Sequence, residues 1–300
     1  MNSFVGVDPY LYDVDQWNDL SKDLKKSGHT LISIPQNLID LVWGTNQPDR
    51  PRNIVFPLEL KYTGMHFSEK LEKVREKMKE ENADCLILTA LDEIAYLYNL
   101  RGSDIDFNPV FFSYAAVTLT KAFLFIDESK LSSEAIKELS SGNEACNIKP
   151  YEGIIDFMEN QISESGKIWI SNKSSYALSN LVPNEKKIVK ITPVSIMKAI
   201  KNPVEINGLI KCHIRDASAL CRYFNWLESE APLNTQSEVS GADKLQKLRE
   251  EQDEFVGLSF TTISSSGPNA AIIHYSPSKE TDRPITTDDI YLVDSGGQYK

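Results

Sequence analysis

The sequence predicts an α/β fold laid out in three stretches, and three observations carry that expectation. Between about Phe56 and Ile200, apolar β-rich runs alternate with helical patterns, the rhythm of an α/β domain with a complete, covered sheet. At 300 residues the chain exceeds the usual span of a single domain, so two or more are expected. A hydrophobic content of 41% beside 25% charged residues is ordinary for a globular protein and supplies a buried core.

The first stretch, residues 1–55, reads as the tail of a domain whose beginning is absent. Phe4-Val5-Gly6-Val7-Asp8-Pro9 reads as a strand running into a turn. Val14, Trp17, Leu20 and Leu24 have helical spacing, with Gly28 as the stop. Leu31 to Ile34 suits a short strand, and Pro48-Asp49-Arg50-Pro51 a linker. In the second stretch, residues 56–200, Ser68 is placed to cap a helix carrying Leu71, Val74 and Met78. Cys85 to Leu88, Ala115 to Leu119, Phe123 to Ile126 and Ile168 to Ile170 are strand-like.

The third stretch, residues 201–300, opens where Pro203 suits a helix start, with Ile206, Leu209, Ile210, His213, Ala217, Leu220 and Phe224 following at helical spacing. A second helix is predicted from Ser237 to about Glu251. Strands are then predicted over Phe255 to Ile263, Ile272 to Tyr275 and Ile290 to Asp294.

A net charge of −11 repels nucleic-acid phosphates and anionic membranes, so neither is an expected partner. Nothing approaches the ~20 consecutive apolar residues that span a bilayer. The start Met1-Asn2-Ser3-Phe4 has none of the regions of a signal peptide, which makes the cytoplasm the expected compartment. Cys85, Cys146, Cys212 and Cys221 show no CxxC spacing and read as small buried hydrophobes.

Two residues can carry chemistry. In Thr261 to Tyr275 a polar, glycine-containing loop delivers His274 on a short apolar strand; an imidazole can trade protons or hydrogen-bond an oxyanion near neutrality. A lone strand histidine is nonetheless more often a satisfied core residue. Asp294 ends the apolar run Ile290 to Val293 and precedes Ser295-Gly296-Gly297. A carboxylate there can hold a hard divalent cation, although Asp, Ser and Gly are also ordinary turn residues. Other conspicuous residues read as structural. His29 and His66 suit surface or capping roles, His213 the apolar side of a helix, Arg101 and Asp104 a solvated ion pair, and Trp169 and Trp226 core packing.

Several long motifs in order resemble the cytosolic aminopeptidase P branch of the creatinase-like, or pita-bread, metallopeptidases. They are Gly6 to Pro9, Thr89 to Ala95, Asn99 to Asp104, Asn108 to Tyr114, Phe224 to Glu228, Phe260 to Pro277 and Tyr291 to Tyr299. The resemblance implies a complete creatinase-like mixed-sheet domain, preceded by the tail of a similar one and followed by the first part of a pita-bread α+β catalytic domain. It further implies cleavage of the bond before proline by two manganese ions held by two Asp, one His and two Glu, with a metal-bridging hydroxide as nucleophile. Asp294 matches the first aspartate ligand, and His274 the histidine near the scissile bond.

The second aspartate, the histidine and both glutamates of that set would follow Lys300, so residues 1–300 alone are expected to be inactive. Ala270 stands where the family pattern has glycine, which stiffens the loop before His274. The expected substrates are peptides with proline second, and the expected assembly a homodimer. The rival reading is a non-catalytic creatinase-fold module that binds peptides or proteins. Without a pita-bread second half, Tyr291 to Tyr299 is expected to be an unpaired edge.

Overall fold

The computed structural model describes residues 3–141, 145–164 and 166–300; Met1 and Asn2, with which the reading of the N-terminal start begins, lie outside them. The chain divides into two compact units, Met1–Asp104 with Pro109–Lys201, and Ile105–Asn108 with Asn202–Lys300.

In the first unit β1 (Phe4–Val7) pairs in parallel with β2 (Thr30–Ser33) across the intervening helix α1 (Val14–Lys26). Asp13 and Gln16 form a reciprocal capping box at its start. Beyond its end Gly28 takes φ 78°, and the His29 N–H reaches back to the Leu24 carbonyl at 2.9 Å. The glycine is needed there because a Cβ is strained in the left-handed region. Trp17, the buried residue of α1, stacks on Tyr176 with ring centroids 3.8 Å apart.

There follow α2 (Leu38–Trp43), β3 (Phe56–Pro57), α3 (Leu60–Thr63), α4 (Phe67–Glu80), β4 (Cys85–Leu88), α5 (Leu91–Tyr98), β5 (Leu100–Arg101), β6 (Tyr114–Thr118), β7 (Ala122–Phe125), α6 (Ser133–Leu139), β8 (Asn147–Lys149), α7 (Ile154–Glu164), β9 (Ile168–Ile170), α8 (Tyr176–Leu181), β10 (Lys187–Val189) and α9 (Pro193–Ala199). Six strands form a mixed sheet in the order β10-β9-β4-β6-β7-β8. β10, β9 and β4 run parallel, β6 is antiparallel to both β4 and β7, and β8 is parallel to β7.

β4 is buried on both faces, and the two-residue period of a strand divides it between two cores. Leu86 and Leu88 meet Phe67, Leu71, Val74 and Met78 of α4 and Ile94, Leu97 and Tyr98 of α5. Cys85 and Ile87 join Ile154 and Met158 of α7 and Leu178 of α8 on the other side. This is why Cys85-Leu86-Ile87-Leu88 carries no polar residue.

Several expectations change here. Ser68 does not cap α4: His66 does, its ring nitrogen accepting from the Ser68 N–H at 3.2 Å. Asp104 and Arg101 do not form a solvated pair. Asp104 is buried, ion-paired with buried Lys130, and accepts from the Phe112 N–H at 2.8 Å. Cys85 and Cys146 are buried, but Cys212 is half-buried and Cys221 exposed. Both tryptophans do pack in cores as expected: Trp169 is buried and donates its indole N–H to the Lys190 carbonyl, and half-buried Trp226 packs beside buried Tyr223, ring centroids 5.7 Å apart.

The second unit contains α10 (Pro203–Glu230), α11 (Glu238–Glu250), β11 (Phe255–Leu258), β12 (Ile263–Ser266), β13 (Tyr291–Asp294) and β14 (Gly297–Tyr299). A capping box of Asn202 and Glu205, with Pro203 at the first turn, starts α10. Its buried residues are Ala219, Tyr223 and Leu227, which meet Leu245 and Leu248 of α11 and Ile285. Ile206, Leu209 and Ile210, expected on the apolar stripe, are exposed, and so is His213.

The predicted strand Phe255 to Ile263 is two strands, because β11 stops at Leu258 and β12 begins at Ile263 with a different partner. The segment Tyr291 to Tyr299 is paired on one side, β13 antiparallel to β12 and β14 antiparallel to β11; each lies in a two-stranded sheet, so among the described residues its other side is the expected unpaired edge.

Candidate functional site

The second unit places its chemistry-bearing residues on the segment between β12 and β13 and at the end of β13. β12 leaves Ser266 and enters a short 3-10 turn, Gly267–Ala271. Gly267 has φ 56°, where glycine is favoured, and a Cβ on it would lie 2.8 Å from the Asp289 carboxyl group and force that side chain to move. Ala270, in contrast, needs no glycine conformation, and its methyl group causes no backbone strain.

Ile272 to Tyr275 is not a strand. Among the described residues the apolar run has no partner strand; Ile272 and Ile273 are exposed, Ile273 to 85%. A tight turn follows, in which the Tyr275 N–H reaches the Ile272 carbonyl at 3.2 Å. His274 sits in that turn, exposed, at φ 58°. A non-glycine residue in the left-handed region costs on the order of 1–3 kcal/mol and persists only where its surroundings enforce it.

The residues around this turn gather on Glu238, the first residue of α11 and fully buried. One carboxylate oxygen accepts from the Ser266 N–H at 2.6 Å and from Asn269 Nδ2 at 3.1 Å. The other accepts from the Tyr275 hydroxyl at 2.6 Å, from Asn269 Nδ2 at 3.0 Å and from the Arg283 N–H at 3.2 Å. Its place in the first turn of α11 also suits a negative group to the helix dipole. Burial and the hydrogen bond to Glu238 push the Tyr275 phenol above its ordinary range, so it remains a donor. The loop is thus tied at its start by Ser266, at its middle by Asn269 and next to His274 by Tyr275.

Glu238 is absent from the candidates that the sequence suggested. The signal was there as Ser237-Glu238 opening a helix, but an acidic residue in a first turn reads as ordinary helix chemistry. Its partners lie 28 to 45 residues further along, and only the tertiary fold brings them in.

Asp294 closes β13 and is exposed, opposite Ile263 in the register. β13 is held through Tyr291, whose hydroxyl group lies 2.6 Å from that of Tyr223 and 2.8 Å from Ser264 Oγ. The glycines after Asp294 answer to close approach rather than to positive φ. A Cβ on Gly296 would collide with the Ser259 hydroxyl, and one on Gly297 would crowd Asp216, Phe255 and Tyr299. Asp216 in turn takes a bidentate pair from buried Arg249 at 2.8 and 3.0 Å and a hydrogen bond from Tyr299 at 3.0 Å.

Among the described residues no hydrogen bond or ion pair joins His274 to Asp294. Among the described residues no group of three or more His, Cys, Asp or Glu can hold a metal ion. Asp294 alone is one carboxylate ligand, so these residues do not by themselves fit a dinuclear centre.

The first unit has a cavity of about 750 Å³ at the carboxyl ends of β4, β9 and β10. Its polar groups are already partnered: Glu93 accepts from Thr192 Oγ1 at 2.6 Å, Asp15 accepts from Asn172 and Lys173, and Lys190 pairs with Glu81. Burial raises the Glu93 carboxyl above the usual carboxylate range.

A mixed-sheet α/β unit, followed in sequence by two long helices and paired antiparallel strands, defines the creatinase-like and pita-bread class of fold. The chain belongs to the Creatinase/Prolidase N-terminal domain family, whose model matches residues 46–205, and residues 207–300 match Metallopeptidase family M24. It is 47% identical over 299 residues to the Xaa-Pro aminopeptidase ApepP of Drosophila melanogaster, covering 99% of this chain and 49% of that protein. A probable Xaa-Pro aminopeptidase P of Talaromyces stipitatus is also 47% identical, over 306 residues, 98% of this chain and 46% of that protein. The chain therefore spans about half the length of the curated relatives it matches.

The crystal structure of an X-prolyl aminopeptidase from Caenorhabditis elegans, described as a cytosolic enzyme with a di-nuclear active site, superposes with a TM-score of 0.92 at 34% identity, covering 99% of this chain and 49% of that one. A Xaa-Pro dipeptidase from Bacillus anthracis, 19% identical over 78% of this chain and 62% of that one, superposes at 0.57 and shares the fold. Among the described residues no helix is long and apolar enough to cross a membrane.

Proposed function

We propose that this protein is a metalloaminopeptidase that hydrolyses the bond between an N-terminal residue and a following proline. The observation that supports it most is the 47% identity to a Xaa-Pro aminopeptidase over 299 residues, which includes the loop of His274 and the strand of Asp294. A dedicated enzyme for this bond makes physical sense, because proline lacks the amide hydrogen and fixes φ, so its imide resists general peptidases.

In this reading Asp294 is one ligand of a pair of divalent ions, for which manganese is proposed, and His274 acts beside the scissile bond. The exposure of both side chains is compatible with those roles. In this reading the site needs ligands besides Asp294, and among the described residues no group of three or more His, Cys, Asp or Glu can supply them, so a polypeptide of residues 1–300 is expected to be inactive. Residues 1–55 are proposed to complete a preceding creatinase-like domain, 56–200 to form the second, and 201–300 to begin the catalytic one. A cytosolic homodimer is the proposed working form.

The deciding experiment is an assay of the purified native-length protein with Mn²⁺ on an Xaa-Pro tripeptide and its Xaa-Ala counterpart. Cleavage of the first only, lost on chelation, is the expected result. A native-length protein that binds such peptides without cleaving them would overturn the enzyme reading in favour of a non-catalytic binding module.

A further inference from the structure

We propose that Glu238 is a positioning residue that sets the conformation of His274 through Tyr275. Three observations on this unit point the same way. Glu238 is fully buried, yet its carboxylate has no cationic partner among the described residues; its hydrogen bonds come from the Ser266 and Arg283 backbone, the Asn269 amide and the Tyr275 hydroxyl. Burying a carboxylate on such terms is costly, so the geometry of its donors is strongly enforced. His274 stands exposed in a left-handed backbone conformation, and among the described residues its side chain makes no hydrogen bond, ion pair or ring contact. Tyr275, one residue on, is buried and ends 2.6 Å from the carboxylate.

Tyr275 is also tied to the 278–281 turn, where its hydroxyl lies 3.0 Å from Thr281 Oγ1. With the tyrosine ring fixed, the peptide unit joining it to His274 cannot rotate freely. Glu238 acts on a histidine it does not touch, and so holds no reacting group itself. Displacing a group by about 1 Å from its working place can cost about 100-fold in rate, which is the scale of effect such an anchor can exert.

The proposal depends on the peptidase reading only for what His274 does, and the first arm of its test needs no turnover. The chain has four histidines, so ¹⁵N-histidine labelling gives four backbone amide signals. In residues 1–300, Glu238→Ala is expected to shift or broaden the His274 signal and leave those of His29, His66 and His213 in place. Glu238→Gln, which keeps one oxygen acceptor, should lie between the two. If the alanine variant fails to fold, all four signals move, and Tyr275→Phe, which removes one donor and keeps the carboxylate, decides in its place. A His274 signal unmoved in every variant that folds would overturn the proposal.

The second arm uses native-length enzyme. Glu238→Gln is expected to lower kcat by about 10- to 100-fold with KM little changed, and to add almost nothing to His274→Ala. Multiplying effects in the double variant would mean that Glu238 does not act through His274, and would also overturn the proposal. Absence of turnover in every protein, wild type included, would instead defeat the peptidase reading, and the amide signals would still decide the role of Glu238.

Discussion

His274 and Tyr275 are neighbours in sequence with opposite environments, one exposed and strained, the other buried and anchored. Tyr275→Phe removes a hydrogen bond to a buried carboxylate and is expected to cost about 1.5–3 kcal/mol in urea unfolding. In native-length enzyme, His274→Ala is expected to lower kcat about 100-fold while leaving Mn²⁺ binding intact, since it is not proposed as a ligand. The cysteines should divide by burial. Burial pushes the Cys85 thiol up to about 12, whereas Cys221 is exposed. Native-state alkylation at pH 8, read by mass spectrometry, should therefore label Cys221 and spare Cys85. Asp104 lies in a loop whose sequence is polar and reads as solvent-facing, but Lys130, 26 residues later, pairs with it in a buried site.

At the scale of elements, β4 shows how a strand at the middle of a sheet is specified. Its two faces feed two cores, and Leu86→Ala is expected to destabilise the first unit by about 2–5 kcal/mol. Helix α5 carries the pH-sensitive group. The folded-state pKa of Glu93 is raised, with burial the main cause. The native state therefore holds that proton more tightly than the unfolded chain. The stabilisation is complete below the ordinary carboxylate pKa and is lost as pH rises through the folded value. Glu93→Gln should flatten this part of the pH profile and melt no lower than wild type at pH 7, because an amide oxygen still accepts from Thr192. Melting curves between pH 4 and 7 check it. Ile272 to Tyr275 shows the opposite case to β4. Its branched residues favour a strand, but without a neighbour to pair with, the backbone turns.

For the molecule as a whole, the metal is the sharpest test. Asp294 stands without companion ligands among the described residues, so residues 1–300 titrated with Mn²⁺ should give no saturable binding and no rise in melting temperature. The native-length protein should show both. Saturable binding by residues 1–300 would mean that the ligands proposed to follow Lys300 are not needed.

Much of this architecture was legible in local pattern. The apolar strand Cys85 to Leu88, the helix starts at Pro203 and Ser237 and the stop at Gly28 depend on residues a few positions apart, and local pattern and backbone sterics mark them. His274 and Asp294 stood out for their residue type and for long motifs shared with a known family. What the sequence could not determine was which partners meet across distance. The burial of Asp104 with Lys130, the gathering of Ser266, Asn269, Tyr275 and Arg283 around Glu238, and the left-handed turn at His274 were decided by tertiary structure. A buried charge must take its hydrogen bonds from whatever the fold brings near, and that selection is made by packing rather than by sequence spacing.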